Sequence, residues 1–358
     1  MANTQESALH YTLGDTLPAG GTSIEVAPGM RWLRMPLPFA LDHINLWLLR
    51  DVQDGREGWS IVDCGISSAT ARGHWESIFA NELQGLPVLR VIVTHMHPDH
   101  VGLADWLCKH WSTPEHECRL WMSNTDWLAA RMATQSGGGP GGEHAAGFFA
   151  LHGLPQPEKA THEGERSNYF ATLVPSVPTQ YRRLMDGMRV AIGAHSWHCI
   201  SGFGHAPEHI ALHCAELGVL ISGDMVLPRI STNVSVFALE PEADPLPMYL
   251  SSIQRFLALP ADTLVLPSHG KPFTGLHTRV MQLVQHHDER FADVMQACAA
   301  APQSAAELLP VLFKRPLDTH QMSFAMGESI AHVHALQSMG KLRGARDAGG
   351  VMRFAVVK

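Results

Sequence analysis

The chain has 358 residues, 45% hydrophobic and 17% charged, with a formal net charge of -8 at neutral pH. That is the balance of a globular protein with room for a large core and a smaller second domain. It offers no broad basic field for holding a polyphosphate backbone, and no apolar run approaches the ~18 residues that span a bilayer. The polar start, Met1 to Glu6, lacks the cationic and apolar order of a secretory signal. Six cysteines (Cys64, Cys108, Cys118, Cys199, Cys214, Cys298) show no CxxC spacing. They read as buried reduced thiols, and the expected location is cytoplasmic.

In chain order, residues 22–26, 44–49 and 59–63 have the β-branched and apolar patterning of strands. Residues 69–83 have helical spacing, with Trp75, Ile78, Phe79 and Leu83 on one face. A strand at 88–93 follows, then a helix at 102–111, a short strand at 120–122 and a helix at 126–134. Between 135 and 182 lie a glycine run, Ser136 to Gly142, and Pro155, Pro157, Pro175 and Pro178. This reads as an insertion, a lid or binding loop over the active-site face. Strands resume at 188–192, 195–200, 209–214 and 219–222, with a helix at 247–258 and a buried strand at 263–266. Residues 276–298 form one long helix, Ser304 caps a second over 305–313, and a third covers 323–339. A hairpin with a glycine turn closes the chain. The expected division is a catalytic domain over 1–275 and a mostly helical, winged-helix-like domain over 276–358.

Chemistry concentrates where strands end. After the apolar strand at 88–93 come His95, His97, Asp99 and His100, three imidazoles and a carboxylate within six residues. Imidazole and carboxylate suit a borderline hydrolytic metal such as zinc. A catalytic zinc takes three protein ligands and leaves a place for water, so two ions sharing a carboxylate want about seven donors. His205 in Gly-His-Ala-Pro-Glu-His, Asp224 after Leu-Ile-Ser-Gly, and His269 after Leu-Val-Leu-Pro-Ser bring the count to seven, each just past a strand.

Over residues 20–280, this ordered set resembles the metallo-β-lactamase superfamily. The resemblance implies an α/β fold, a four-layer αββα sandwich with the metals at one edge of its two sheets. It implies that His95, His97 and His205 bind a first metal, that Asp99, His100 and His269 bind a second, and that Asp224 bridges. Asp63 matches the family's strand-end aspartate and is expected to support the metal loop from behind the ligands. His209, four residues past His205, is expected in the same supporting layer.

The expected reaction is metal-dependent hydrolysis of a small-molecule ester, thioester or lactone, similar to glyoxalase II and the lactonases. A hydroxide bridging two divalent ions attacks, zinc first, with iron or manganese compatible with the same donors. Asp99 orients it and carries its proton toward the leaving group. Arg229, Asn233 and Tyr181 are candidate substrate contacts, although Arg229 has a competing reading as the partner of a surface acid such as Glu240. The segment 35–40, just before a strand, reads either as an apolar wall of the cleft or as plain core. The other readings are an RNA- or DNA-processing phosphodiesterase and a mononuclear-iron enzyme like the persulfide dioxygenases. The acidic chain argues against nucleic acid as a partner. A membrane partner is not expected, and the C-terminal unit suits packing or a homodimer interface.

Overall fold

A computed structural model describes residues 6–135, 144–155 and 169–358. The glycine run and parts of the expected insertion lie outside these residues. Seven strands form one sheet in chain order: β1 (Ile24–Ala27), β2 (Met30–Pro36), β3 (His43–Gln53), β4 (Arg56–Val62), β5 (Val88–Ile92), β6 (Arg119–Met122) and β7 (Tyr181–Arg183). Pairing is antiparallel from β1 to β4 and parallel from β4 to β7. A second sheet holds β8 (Arg189–Ile192), β9 (His195–Gly202), β10 (His209–Cys214), β11 (Val219–Gly223) and β12 (Leu264–Pro267). It is antiparallel except between β11 and β12.

Side-chain alternation on the strands builds the layers. On β3, Leu46 and Leu48 face a core shared with the helices α1 (Ala69–Asn81), α3 (Ala104–Trp111) and α4 (Asn124–Ala133). A short α2 (Pro98–Val101) precedes α3. Trp47 and Leu49, on the other face of β3, meet Trp197, Ile210 and Leu212 of the second sheet. A strand covered on both sides reads as a continuous apolar run, and residues 44–49 do. The strand β2 escapes that pattern because Arg31 and Arg34 interrupt it, both only partly buried.

Two short helices, α5 (Ala145–Leu151) and α6 (Tyr169–Leu173), belong to the region read as an insertion. The outer face of the second sheet is covered by α7 (Pro245–Gln254), α8 (Leu276–Ala300), α9 (Ala305–Leu312) and α10 (Thr319–Ser338). Ala211, Leu220 and Val265 from the sheet share one core with Leu283, Leu308, Ile330 and Phe354. Phe354 lies in the closing hairpin, β13 (Leu342–Arg346) with β14 (Met352–Val356). The order helix, sheet, sheet, helix is the expected four-layer αββα arrangement. Helix α10 starts four residues before the expected 323 because Asp318 and Gln321 form a capping box there.

Polar contacts fix one sheet on the other. Buried Arg90 on β5 donates to Asp51 on β3 at 2.7 Å and to the Ala191 carbonyl of β8 at 2.8 Å. Asp51 also accepts the Gly193 amide, at 2.9 Å. All six cysteines are free and buried. Among the described residues no helix is long and apolar enough to cross a membrane.

The helical layer also hides His332, which is 1% exposed. Its Nδ1 donates to the Glu328 carbonyl at 2.7 Å, and burial lowers its pKa from 6.5 to about 4. In the unfolded chain the imidazole titrates at its ordinary value. Between pH 6.5 and about 4 the unfolded state therefore takes up a proton that the folded state refuses. Stability is full above that window and falls as pH drops through it, by up to ~3 kcal/mol for this one group. Urea denaturation of chelator-treated protein at pH 7.5 and pH 5 should show about 2 kcal/mol of that loss, and His332→Gln should flatten the dependence. Equal pH slopes for the two proteins would remove His332 as its source.

Candidate metal centre

The strands β4, β5 and β6 are parallel, so their C-terminal ends open on the same side. In the second sheet the ends of β9, β11 and β12 open there too. The predicted donors therefore meet at one end of the sandwich. Donor atoms of His95, His97, His205 and Asp224 all lie within 4.8 Å of one another, as do those of Asp99, His100 and His269. Asp224 joins the two groups. It is 3.3 Å from His205 Nε2, 3.6 Å from His100 Nε2 and 3.5 Å from His269 Nε2. Asp99 lies 3.4 Å from His269 Nε2 and 3.6 Å from His100 Nε2.

Each ring is aimed by what holds its far nitrogen. His205 Nδ1 is 2.7 Å from the Asn233 carbonyl, and His269 Nδ1 is 2.7 Å from the His43 carbonyl. A carbonyl only accepts, so Nδ1 carries the hydrogen in both rings and the lone pair of each neutral imidazole sits on Nε2, facing inward. His100 Nδ1 is fixed in the same way by Asp63 at 2.8 Å. The Asp63 carboxylate also accepts the Thr94 amide at 2.8 Å and the Thr94 hydroxyl at 2.9 Å. Thr94 Oγ1 in turn meets His95 Nδ1 at 3.0 Å. The result is an Nε2 of His95 only 3.2 Å from the Nε2 of His205. Two inward lone pairs at that separation repel unless a cation lies between them. His100 Nε2 and Asp224 Oδ1 are buried with no hydrogen-bond partner, which the same cation would resolve. The residues present fit a divalent metal pair.

Charge favours this too. Burial raises the cost of ionising Asp99, yet His100 and His269 outweigh it and hold the carboxyl at about 2. Asp224 stays far below the usual carboxylate range for the same reason, with His269 and His100 overcoming desolvation. Burial keeps His97 neutral down to about 3, helped by His205, and pushes His95 and His209 well down. Burial opposes protonation of His269, but Asp224 and Asp99 lift it to about 10. His100 is raised likewise, by Asp63, Asp99 and Asp224 against desolvation. Protons and cations thus compete for those two nitrogens.

His209 accepts the Asp224 amide on Nε2 at 3.2 Å. Gly223 passes so close that an added Cβ would lie 2.1 Å from that nitrogen, and its φ of +54° also suits glycine. The substrate candidates fare differently. Arg229 pairs with Glu6 at 3.2 Å rather than with Glu240. The Asn233 side chain turns to α10, donating to Glu328 at 3.1 Å, so its role runs through its carbonyl and His205. Tyr181 stacks on Trp127 with centroids 4.4 Å apart and donates its hydroxyl to Asn124, which commits it to the sheet's helical face.

Three contributors have no sequence motif. Asp126 accepts the Met96 amide at 2.7 Å and the Glu208 amide at 2.5 Å, pinning both histidine loops to one carboxylate. His43 supplies the carbonyl under His269. Tyr169 lies near enough to Asp99 to feel its charge, which adds to burial in raising its hydroxyl to about 12, and it packs with Phe39 at 6.4 Å. A lone aromatic after a glycine-rich stretch gives no signal of that position.

Two family models match the chain: "Metallo-beta-lactamase superfamily" over residues 40–269 and "Metallo-beta-lactamase-like, C-terminal domain" over residues 291–357. The chain is 54% identical to a beta-lactamase domain protein from Burkholderia ambifaria, whose crystal structure superposes with a TM-score of 0.92, covering 99% of this chain and 100% of that one. It is 24% identical to "Probable metallo-hydrolase YqjP" of Bacillus subtilis, over 86% of this chain and 91% of the relative. It is also 31% identical to a hydroxyacylglutathione hydrolase of Cereibacter sphaeroides, over 36% of this chain and 44% of that protein.

The support of His100 by Asp63 is open to a clean test. Asp63 has a φ of +62°, a conformation asparagine tolerates, so Asp63→Asn removes charge without new backbone strain. Metal affinity should fall by about 10- to 100-fold while circular dichroism stays unchanged. Undiminished metal retention after dialysis would refute the assignment.

Proposed function

The chain belongs to the metallo-beta-lactamase superfamily, and on that premise we propose that it hydrolyses an ester, thioester or lactone of a small molecule. Two divalent ions, zinc in the first instance, would be held by His95, His97 and His205, by Asp99, His100 and His269, and by Asp224 between them. The observation that carries the reading is the set of inward lone pairs whose tautomers are fixed from behind. When bound, such ions lower the pKa of water toward neutrality and polarise a substrate oxygen. Asp99 is ionised and, at 19% side-chain exposure, more open than Asp224 at 10%. It accepts the proton of the attacking water on its carboxylate and passes it to the leaving group. Phe39 and Tyr169 form an aromatic wall on the Asp99 side that suits the apolar part of an acyl group.

Water attacks directly in this scheme. The cysteine next to the site, Cys64, is fully buried, and burial with neighbouring Asp63 raises its thiol far above the nucleophilic range. The relative named for hydroxyacylglutathione hydrolysis supports a thioester within the class. Nucleic acid fits less well, since Arg353 of the terminal hairpin is bound to Glu307 and Asp347. We assign the C-terminal helices and hairpin, winged-helix-like in outline, to packing on the catalytic layers.

A panel of glutathione thioesters, lactones, aryl esters, β-lactams and phosphodiesters tests this with zinc-replete protein. Turnover is expected on the first three classes, and Asp99→Asn should lower kcat by about 100- to 10,000-fold when assayed at saturating zinc. Unchanged kcat in that variant, a trapped acyl-enzyme, or preference for phosphodiesters would each overturn the proposal. A single bound iron would move the chain to the redox branch.

A further inference from the structure

We infer a separate cation site at the opposite end of the second sheet, where His195, Cys214 and Glu216 present an imidazole, a thiol and a carboxylate to one zinc-type ion. Their donor atoms lie within 4.8 Å of one another. His195 opens β9, whereas the histidine–aspartate cluster lies beyond its other end at Gly202. The seven residue steps from His195 to Gly202, at ~3.3 Å each, put roughly 23 Å between the two places.

The backbone builds this triad. Cys214 pairs with Trp197 at the last rung of the β9–β10 ladder, and Glu216 lies in the turn that follows. His195 and Trp197, two apart on β9, share a face, which puts the imidazole on the side of Cys214, and Glu216 reaches the same place from the turn. Cys214 Sγ donates to Glu216 Oε2 at 3.3 Å. That hydrogen bond alone explains two of the three residues and leaves the convergent imidazole unexplained. Cysteine, histidine and carboxylate are the zinc donor types, and three of them leave one position for water. The thiol and imidazole disfavour calcium and magnesium, which take oxygen. Bond lengths of 2.0–2.3 Å put tetrahedral donors roughly 3.3–3.8 Å apart, within a small side-chain adjustment of the present spacing. His195 also lines a cavity of ≈ 240 Å³ with Gly193, Trp197 and Leu217, which gives an ion a route to the ring.

Binding breaks the Cys214 S–H bond, forms a sulfur–metal bond and releases one proton to solvent. Burial, with the Glu216 contact adding to it, holds that thiol at about 11, so occupancy rises with pH. The ion would fasten the β9 start to the β10–β11 turn.

Cobalt(II) reads this site apart from the other. The histidine–aspartate cluster contains no sulfur, and among the described residues no other cysteine belongs to a three-donor group. Titrating full-length metal-free protein with cobalt should give a thiolate-to-cobalt charge-transfer band in the near ultraviolet. Cys214→Ser should abolish it, and His195→Ala should bind one cobalt fewer per chain in equilibrium dialysis. No band in the unaltered protein, or an equal band in Cys214→Ser, would overturn the inference. If Cys214→Ser fails to fold, the dialysis comparison decides: equal cobalt content in His195→Ala and the unaltered protein rejects the site. Failure here leaves the hydrolase reading untouched, since none of the three residues serves it.

Discussion

Three hydrogen bonds govern the chemistry of the active end of the molecule: His100 to Asp63, His205 to the Asn233 carbonyl, and His269 to the His43 carbonyl. Each takes up the Nδ1 hydrogen and so directs an Nε2 lone pair into the same small space. Around a bound cation these nitrogens and the two ionised carboxylates all face one charge; without it, Asp99 and Asp224 hold protons on His100 and His269 instead. The surrounding structure has to keep the donors convergent in both states.

The two sheets do this because each brings part of the set and they are locked together beside it. The Ile210 amide of β10 donates to the Thr94 carbonyl at 2.8 Å, which joins the first histidine loop to the second sheet. Asn45 of β3 donates to the carbonyls of Pro267 and Gly270 at 2.8 and 2.9 Å, bracketing His269. Asp126 ties the loops carrying His97 and His205. Its burial raises the carboxyl to about 6 even though the Met96 and Glu208 amides oppose the shift. Keeping a carboxylate there at all shows how strongly the two amides need an acceptor. Donors held at several points from a rigid scaffold reach the sub-ångström tolerance that metal chemistry requires.

The donors themselves were legible in the sequence because each is a side chain with a distinctive ligand chemistry at the end of an apolar strand. Asp63 was legible through the resemblance, as the aspartate at a strand end. The supports were harder to see. The Asn233 and His43 contributions are backbone carbonyls, which every residue has, and they act across sequence separations of 28 and 226. Asp126 reads as an ordinary acid in a first helical turn, where Ser123 caps α4. The substrate candidates show the converse. Arg229 and Tyr181 have suggestive side chains, but Glu6 and the Trp127–Asn124 pair occupy them, and neither partner is near in sequence.

The least expected dependence runs from the C-terminal helices to the first cation position. The carbonyl under His205 belongs to Asn233, and the stretch after it is clasped by α10. Ser235 Oγ donates to the Asn233 side-chain oxygen at 2.7 Å, and the Val236 amide donates to the Gly327 carbonyl at 3.1 Å. A Cβ on Gly327 would come within 2.6 Å of the Ser235 Cβ, so the helix can lie this close only with glycine there. The next residue, Glu328, is buried, and burial raises its carboxyl to about 7 against the opposing Asn233 amide. Residues more than a hundred positions beyond His205 therefore fix the peptide that fixes its tautomer. The same helix shares its core with the outer face of the second sheet. A shift of α10 on that sheet would move the Asn233 carbonyl, and with it the direction of a donor nitrogen, without touching any donor directly.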